Sequence, residues 1–512
     1  MPSAYIGRQS IPFEAGASLS ALVSGHGVSM PCGGAGTCLA CRVKVSGALS
    51  PPCEKEIAAL GTEALASGWR LACMARAFGD VTILLDTAEK IITDGLPDAA
   101  PSNPMFSKYG AAVDIGTTTL ALGIYDIHGL LGTATVRNPQ AVFGADVITR
   151  LGKAAEGDAP AIALSVRKGI FSLLEELAAG HKIPIREIDR LVVTGNTAML
   201  YLLTGQDPAP LTHAPFEARR LFGEILPAPD LFPALPDAEI YIPPCVSAFV
   251  GADILCAVLA SGMCRCEKTA LLMDIGTNGE LALWHDGTLL CCSTAAGPAF
   301  EGAGIQMGSF GVAGAIESAV FEDGALHCRV IGDIPAKTIC GSGIADVTAA
   351  LLKCGAVDEN GFMEEDGHAL SASMAERAGD TAVRLSDDVF FTARDVRMVQ
   401  LAKGSIRAGL ETLPQIAGIK TGDIEKLYIA GGFGSYLNLT SAAEIGLIPK
   451  ALVKRAQVIG NGALAGAAMS LCDKSRVREL ARLAKLARTA ALDANPVFTA
   501  NYMKWMGFDC EA

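Results

Sequence analysis

The sequence predicts a multidomain α/β protein in which a small β-rich domain precedes a duplicated pair of α/β half-domains. Three observations favour this architecture. Five cysteines fall close to the N-terminus, three of them clustered in a glycine-rich loop, and a segment rich in proline and glycine follows them. A strand–turn–strand unit with the turn Asp-Ile-Gly-Thr occurs twice in the rest of the chain. At 512 residues the chain has room for about three or four domains of roughly 150 residues each.

Composition excludes several classes of function. The formal net charge is -13 and the pI is near 5.1, and no block of basic residues is present, so we expect no nucleic-acid partner. The 16 cysteines form no dense, evenly paired framework, and no charged region followed by an apolar run opens the chain. We therefore expect a cytoplasmic protein.

The mean hydropathy of +0.36 raises the question of a membrane span, for which residues 241–264 are the best candidate. This stretch contains Pro243, Pro244, Gly251 and Asp253, and a charge in the middle of a span is costly in lipid. A buried helix that begins near Ser247 is the simpler interpretation, and no membrane association is expected.

The N-terminal cysteines have the spacing of an iron–sulfur site. Cys32, Cys38 and Cys41 form the pattern Cys-x5-Cys-x2-Cys in a glycine-rich loop, and Cys73 is a distant fourth thiol. Four thiolates complete the shells of two tetrahedral irons, and glycines allow the backbone to wrap closely around the sulfurs. The alternative is a set of inert apolar cysteines, which the density of glycine disfavours.

The surrounding segments predict a small sheet, with strands at residues 41–45 and 81–85 and a helical turn at 54–60. Residues 1–88 resemble the [2Fe-2S] ferredoxin domain of β-grasp fold, in which residues 68–73 carry the last ligand. Because few residues precede Gly7, we expect the first strand to be short or absent.

Residues 89–110 are predicted to be a linker. Gly95, Pro97, Pro101 and Pro104 interrupt its second part, residues 92–110, where few large apolar side chains occur. Such a composition is typical of a tether, so we expect the cluster domain to swing.

After the linker, residues 111–125 and 271–283 each read as strand, polar turn and strand. Turns rich in glycine and threonine offer N–H groups and hydroxyls to phosphate oxygens, and an aspartate at the end of a strand can hold Mg²⁺ through water. One copy alone could be an ordinary hairpin turn. Two copies suggest related half-domains that face a shared cleft, and a glycine cluster at residues 427–435 suits a nearby flat ligand.

These motifs resemble those of the superfamily of acetate kinase, sugar kinases, Hsp70 and actin, which close two duplicated domains on ATP. The resemblance implies that the first hairpin contacts the terminal phosphates, the second the inner phosphates, and the glycine cluster the nucleoside. It assigns ATP and Mg²⁺ to Asp114, Gly116, Thr117 and Thr118, to Asp274, Gly276, Thr277, Asn278 and Gly279, and to Gly431, Gly432 and Gly434. Asp114 and Asp274 are the candidates for holding the metal and positioning water, with Glu280 and Glu301 as alternatives for the base.

Four further stretches, at residues 193–197, 295–302, 340–343 and 395–403, narrow the resemblance to the reductive activators of corrinoid proteins. This family implies a β-grasp [2Fe-2S] ferredoxin domain followed by a duplicated actin-like ATPase (ribonuclease-H-like) domain pair, here divided as 1–88, 89–110, 111–265 and 266–512. Some relatives carry a further small domain after the linker, whereas here the ATPase follows directly.

The implied activity is ATP-dependent transfer of one electron from the cluster to a corrinoid protein of a methyltransferase system, which returns inactive Co(II) to Co(I). The implied partners are that corrinoid protein and an upstream low-potential electron donor. Homodimerisation is an expectation from the family alone. The alternatives are an activator of radical acyl-CoA dehydratases, a nucleotide-binding redox sensor without turnover, and a small-molecule kinase that would leave the ferredoxin domain unexplained.

Later motifs have local explanations as well. Gly341-Ser342-Gly343 can begin a helix with Ser342 as its N-cap, or it can contact phosphate. Residues 395–413 predict an amphipathic helix on which Lys403 is solvated, with a phosphate contact as the alternative. The seven histidines show no metal-ligand spacing, and the pairs Cys264/Cys266 and Cys291/Cys292 are read as ordinary core residues.

Overall fold

The computed structural model describes residues 2–6, 9–23, 41–85, 95–377 and 379–508. Its N-terminal domain is a mixed sheet with the strand order β2-β1-β6-β4-β5, in which β1 runs parallel to β6. The elements are β1 (Ser3–Ile6), β2 (Gln9–Pro12), β3 (Ala17–Ser18), α1 (Leu19–Leu22), β4 (Arg42–Leu49), α2 (Glu54–Ala66), β5 (Trp69–Leu71) and β6 (Arg76–Leu85). The predicted strands and helix are present and longer than predicted, and the first strand is short.

The first half of the large body is built on a six-stranded sheet of order β11-β12-β10-β7-β8-β9. Its elements are β7 (Tyr109–Ile115), β8 (Thr119–Asp126), β9 (Gly129–Arg137), α3 (Val147–Lys153), α4 (Ala159–Gly180), β10 (Ile188–Gly195), α5 (Thr197–Thr204), α6 (Ala209–Thr212), β11 (Glu224–Pro227), β12 (Glu239–Ile242) and α7 (Ala252–Ser261). Strands β7, β8 and β9 are antiparallel neighbours, and β10 and β12 add to them in parallel.

The second half repeats this plan in a sheet of order β23-β22-β13-β14-β15-β24. Its elements are β13 (Ala270–Ile275), β14 (Gly279–His285), β15 (Thr288–Thr294), β16 (Ala315–Glu322), β17 (Ala325–Val330), β18 (Thr338–Ile339), α8 (Gly341–Cys354), β19 (Met374–Arg377), β20 (Asp380–Arg384), β21 (Phe390–Thr392), α9 (Ala393–Ile416), β22 (Lys426–Ala430), α10 (Leu439–Glu444), β23 (Ala456–Val458), α11 (Gly462–Cys472), α12 (Ser475–Leu486), β24 (Ala487–Thr489) and α13 (Pro496–Lys504).

The two sheets are related by duplication. The run β12-β10-β7-β8-β9 of the first half has the same order and the same strand directions as β23-β22-β13-β14-β15 of the second. Each Asp-Ile-Gly-Thr turn therefore occupies the same place in its own sheet, between the first two strands of the antiparallel run. This is the duplicated α/β architecture that the two motif copies predict.

Helices α7 and α11 pack together in a core that also takes one face of each sheet. The helices approach closely because α11 places Gly466 directly against the backbone of α7. A Cβ atom on Gly466 would lie 2.0 Å from the carbonyl oxygen of Cys256, which is far inside van der Waals contact. The absence of a side chain at this position therefore fixes the distance between the two helices.

Residues 241–264 are divided between the end of β12 and helix α7. The predicted buried helix is present, but it begins at Ala252, because the N–H groups of Val246 and Ser247 donate to the carbonyl of Val250 and form a tight turn (2.9 and 3.0 Å). Among the described residues no helix has the length and apolar character required to cross a bilayer.

The second part of the predicted linker is fixed to the body. The N–H groups of Asn103 and Met105 donate to the carbonyls of Cys472 and Leu471 at the end of α11 (3.2 and 2.8 Å), and Lys474 N–H donates back to Asn103 (2.8 Å). Met105 and Phe106 are buried. The described segment 95–108 is thus a strap on the body, and residues 86–94 lie outside the described residues.

Two side chains differ from their predicted roles. Cys340, not Ser342, is the N-cap of α8, and the Ser342 hydroxyl donates to the carbonyl of Glu317 (2.7 Å). Lys403 is fully buried rather than solvated. Its ammonium donates to the carbonyl of Gly507 and lies 5.0 Å from the centre of the Phe508 ring, because the C-terminal residues fold back over α9.

The packing of α7 against α11 can be tested with Gly466→Ala. Helix propensity alone predicts stabilisation by about 1 kcal/mol, whereas the clash with Cys256 predicts destabilisation by about 1–3 kcal/mol. We expect the midpoint of thermal unfolding to fall. The matched control is Gly152→Ala in α3, where nothing lies within 4 Å of the added Cβ and a small rise is expected. A rise in both variants would contradict the close packing.

Candidate functional site

The two Asp-Ile-Gly-Thr turns face one cleft of about 600 Å³. Asp114 and Asp274 occupy equivalent positions near the ends of β7 and β13, so each strand delivers a carboxylate to the cleft wall. Of the predicted nucleotide residues, those that line the cleft are Asp114, Gly116, Thr117, Thr118, Asp274, Gly276, Thr277, Asn278, Gly431 and Gly432.

Two predicted residues do not line the cleft. Gly279 is buried behind the second turn, where an added Cβ would meet Thr294 and Ile406. Gly434 is buried against Ile429 of β22. Both glycines shape the backbone next to the cleft and are absent from its surface.

The tips of the two turns meet across the cleft. The hydroxyls of Thr118 and Thr277 are 3.3 Å apart, and both donate to the same oxygen, Oε2, of Glu301 (2.9 and 2.7 Å). Behind the first turn, the Asn138 amide donates to the carbonyl of Gly116 (2.8 Å). The turns therefore present hydroxyl donors to one point, which is the arrangement that an anionic ligand requires.

Four carboxyl groups, those of Asp114, Asp253, Asp274 and Glu280, share the cleft wall. Burial raises the pKa of Asp114 to about 6, although a hydrogen bond from Asn461 (3.0 Å) opposes the change. Burial and then repulsion by Asp114 raise the pKa of Asp274 to about 7. Burial and neighbouring carboxylates also raise the pKa of Asp253 and of Glu280. The cluster thus carries a repulsion that a cation would relieve.

The carboxylates fit a hydrated cation better than a directly ligated one. In the part of the chain that the structure describes, no three His, Cys, Asp or Glu side chains lie close enough to ligate one metal ion. Mg²⁺ usually keeps several of its waters and takes only one or two carboxylates together with phosphate oxygens. The donor set of this cleft is therefore compatible with Mg²⁺ held mainly through water.

The other end of the cleft is apolar and flat. Gly431 adopts a left-handed φ of +93° beside Asp274, and the chain then leads to Phe433, whose ring stacks on Phe300 at 4.8 Å. Gly341, Ser342, Glu317 and Tyr436 complete this end. Aromatic rings and glycine backbone around a slot suit a planar group such as a nucleobase.

Sequence reasoning missed two polar residues at the carboxylate cluster of the cleft. Asp253 opens α7, and Asn461 caps α11 while its amide donates to Asp114 (3.0 Å). Neither belongs to a recognisable turn motif, and both reach the site only because α7 and α11 begin there. The one signal for Asp253 in the sequence is that it is a charged residue within an apolar stretch.

The N-terminal domain brings two of the four predicted cluster cysteines together. The sulfurs of Cys41 and Cys73 are 3.2 Å apart, near the roughly 3.8 Å expected for two thiolates on one tetrahedral metal with bonds of about 2.3 Å. The residues present thus fit the predicted [2Fe-2S] cluster. Cys32 and Cys38, with most of their loop, lie outside the described residues.

A buried ion pair positions the segment that carries Cys73. Glu56 of α2 accepts two hydrogen bonds from the Arg70 guanidinium (2.9 and 2.8 Å) and one from the N–H of Leu71 (2.8 Å). Arg70 also donates to the carbonyl of Ser50 (2.8 Å). These bonds fix β5 against α2, and the turn after β5 then delivers Cys73 to Cys41.

Fold and sites together define a class: a ferredoxin-type domain joined to an actin-like pair of α/β half-domains. Three family profiles match the chain, namely "2Fe-2S iron-sulfur cluster binding domain" at residues 5–78, "RACo middle region" at 109–266 and "C-terminal domain of RACo the ASKHA domain" at 268–511. The chain belongs to this family of reductive activators of corrinoid proteins. The resemblance expected from the sequence is confirmed.

Characterised relatives agree with this placement. The chain is 34% identical over 435 residues to "Corrinoid activation enzyme RamQ" of Eubacterium limosum, covering 80% of this chain and 72% of the relative. It is 27% identical over 413 residues to a "[Co(II) methylated amine-specific corrinoid protein] reductase" of Methanosarcina barkeri (74% and 72% covered). A solved "Reductive activator for corrinoid,iron-sulfur protein" has a TM-score of 0.72 at 26% identity over 99% of this chain and 98% of that one.

The repulsion in the carboxylate cluster can be tested with Asp253→Asn in the absence of Mg²⁺ and nucleotide. Because folding raises the pKa values of these carboxyls, the stability they contribute is present below about pH 4 and is lost as the pH rises through about 7. We expect the variant to unfold at a higher temperature than the parent protein near pH 8, by roughly 2–4 °C for each kcal/mol. The gain should shrink as the pH falls toward about 5.

The matched control is Asp237→Asn, which removes a charge from an exposed residue outside the cleft. This variant should show no pH-dependent difference in thermal unfolding from the parent protein. An equal gain for Asp253→Asn at both pH values would contradict the burial of a charged carboxylate among other carboxylates as the cause.

Proposed function

We propose that this protein uses ATP to drive the one-electron reduction of a corrinoid protein of a methyltransferase system, returning inactive Co(II) to Co(I). The observation that carries the proposal is the presence, in one chain, of a paired-thiol site in a ferredoxin-type domain and of two facing phosphate-type turns in an actin-like cleft. Two relatives, a corrinoid activation enzyme and a Co(II) corrinoid protein reductase, support the same activity by their names.

In the proposed nucleotide complex, the terminal phosphates lie between the two turns. Backbone N–H groups and the hydroxyls of Thr117, Thr118 and Thr277 donate to phosphate oxygens, since uncharged donors stabilise developing negative charge without repelling the metal. Asp114 and Asp274 would hold Mg²⁺ through its waters, and the Asn461 amide donates to Asp114 (3.0 Å) and holds it in place. The nucleoside occupies the apolar end beside Gly431 and Phe433.

In the N-terminal domain, Cys32, Cys38, Cys41 and Cys73 would hold the [2Fe-2S] cluster. When bound, the cluster supplies a one-electron carrier that a low-potential cellular donor can reduce. The ion pair of Glu56 with Arg70 keeps the Cys73 segment at a fixed distance from Cys41, which limits rearrangement of the thiolates when charge enters or leaves.

ATP has a physical role in this reaction. A plant-type cluster has a potential near roughly -400 mV, and each 100 mV uphill costs about 2.3 kcal/mol per electron. A nucleotide can contribute only through different affinities for two arrangements of the protein. Two half-domains that meet at the phosphate turns provide such arrangements, because closure and opening change the contacts of Thr118 and Thr277.

The thiols of the large body do not favour the alternative of a dehydratase activator, whose cluster uses cysteines of the ATPase fold. Burial raises the pKa of Cys245, Cys264 and Cys472 to about 12. Buried thiols of this kind are typical of small apolar core residues. They are best explained as core residues, as predicted for Cys264, Cys291 and Cys292.

The cluster assignment is tested by Cys73→Ala. We expect loss of the visible absorption of the cluster and of electron delivery to a Co(II) corrinoid protein, while ATP hydrolysis stays measurable because the cleft is untouched. Anaerobic purification, absorption spectra and a corrinoid reduction assay measure these quantities. Cys53→Ala is the control, since Cys53 is an exposed thiol of the same domain and should keep both properties. Full Co(II) reduction by Cys73→Ala would contradict the assignment.

The nucleotide assignment is tested by the reverse case, Asp274→Ala. The cluster spectrum should be retained, and ATP hydrolysis should fall by roughly a hundredfold or more, because a bound metal ion supplies several kcal/mol of charge stabilisation. ATP-dependent reduction of Co(II) should fall with it. Unchanged hydrolysis in this variant would place the ATP site elsewhere.

A further inference from the structure

One carboxylate occupies the meeting point of the two phosphate turns. Glu301 Oε2 accepts hydrogen bonds from Thr118 Oγ1 (2.9 Å) of the first half and Thr277 Oγ1 (2.7 Å) of the second. A single anionic oxygen therefore joins residues that are 159 positions apart in the sequence. The proposed role of these hydroxyls is to contact phosphate, and in this arrangement Glu301 uses them.

A phosphate oxygen and Glu301 Oε2 compete for the same donors. Each threonine hydroxyl has one proton to donate, so it cannot serve both acceptors at once. The carboxylate also lies close to the turn backbone, since a Cβ on Gly276 would be 3.8 Å from Glu301 Oε1. A terminal phosphate that reaches both turns therefore has to take the place of the carboxylate.

The surroundings are built for a negative group at this point. Burial raises the pKa of Glu301, while the bonds from Thr277 and Thr118 and the charges of Arg137 and Arg150 lower it. Arg150 is almost completely buried, and its guanidinium donates to the carbonyl of Gly144 (2.8 Å). Buried arginines require a nearby anion, and they can serve either the carboxylate or a phosphate.

We propose that Glu301 is an internal substitute for the terminal phosphate of the nucleotide. It joins the two turns when the cleft is empty, and it releases Thr118 and Thr277 when a nucleoside triphosphate binds. This inference rests on the proposed ATP site and adds a residue that determines its specificity. A diphosphate keeps only the inner phosphates, which lie at the second turn, so it leaves the bond from Thr118 to Glu301 in place. Glu301 thereby makes the cleft distinguish ATP from ADP.

This role differs from that of a general base. A base increases the rate of hydrolysis and leaves the affinity for a non-hydrolysable analogue nearly unchanged. An internal substitute opposes the binding of the triphosphate itself. Removing it should strengthen the binding of a triphosphate and change the binding of a diphosphate much less.

The test is calorimetric titration of the full-length protein with a non-hydrolysable ATP analogue and with ADP, both with Mg²⁺. For Glu301→Ala we expect roughly tenfold tighter binding of the analogue, because the hydrogen bonds from Thr118 and Thr277 to the carboxylate no longer have to be broken. ADP affinity should change less than about threefold. Glu301→Gln keeps the shape and an acceptor oxygen of the side chain but loses its charge. We expect it to bind the analogue more tightly than the parent protein and less tightly than Glu301→Ala. If the alanine variant does not fold, the glutamine variant provides the test.

Glu317→Ala is the matched control. Glu317 is also a carboxylate of the cleft, but it pairs with Arg329 (3.0 Å) at the apolar end. Its removal changes the charge of the cleft equally without freeing the turns, so any change should be alike for both nucleotides. Thermal unfolding of each variant reports whether the structure is retained.

Three results would overturn the inference: equal changes for analogue and ADP in Glu301→Ala, the same analogue preference in Glu317→Ala, or weaker binding of the analogue in both Glu301 variants. Slower hydrolysis with unchanged analogue affinity would assign Glu301 as a base instead. Failure of the parent protein to bind either nucleotide is a different result, which would remove the ATP site itself.

Discussion

Repulsion between carboxylates at the ends of equivalent strands is the constraint around which the two half-domains are arranged. Asp114 and Asp274 face one cleft because duplication places them at the same position in two facing sheets, and Asp253 and Glu280 add further charge. Buried carboxylates are tolerated only where neighbouring groups are placed to hydrogen-bond with them. The Asn461 amide at the start of α11, which donates to Asp114, and the Ile254 N–H at the start of α7, which donates to Asp253, supply these hydrogen bonds. The same repulsion prepares the cleft for a cation.

The parts of this site that are local in sequence could be predicted, and the parts that depend on packing could not. A strand followed by Asp-Ile-Gly-Thr is a complete local signal, since strand, turn and carboxylate lie within a few residues, and its two copies indicated the duplication. Asp253 and Asn461 reach the cleft through the docking of α7 and α11, which no short pattern encodes. The burial of Lys403 had a similar cause, because residues 507 and 508 return over α9 from a distant part of the chain.

The predicted starts of two helices were wrong, because other hydrogen-bond partners lie nearby. Ser342 is a good N-cap residue by type, yet its hydroxyl reaches the carbonyl of Glu317, and the chain already enters α8 at Cys340. The helix near Ser247 starts later than predicted because residues 246–250 close a turn first. In both cases the helix itself was predicted correctly. A competing hydrogen bond explains why its first residue differs from the prediction. Gly279 and Gly434, which were predicted to contact the nucleotide, lie next to the cleft and do not line it.

The strap at residues 95–108 has a consequence for encounter rates. Gly95 already lies against the large body, where an added Cβ would be 2.7 Å from the carbonyl oxygen of Ile459. The ten steps from Leu85 to Gly95 can therefore span no more than roughly 33–36 Å. Over such a short connection the effective concentration of one domain near the other is on the order of millimolar. A partner held on the large body would therefore meet the N-terminal domain without a second diffusional search, and dilution of the protein would not slow that step.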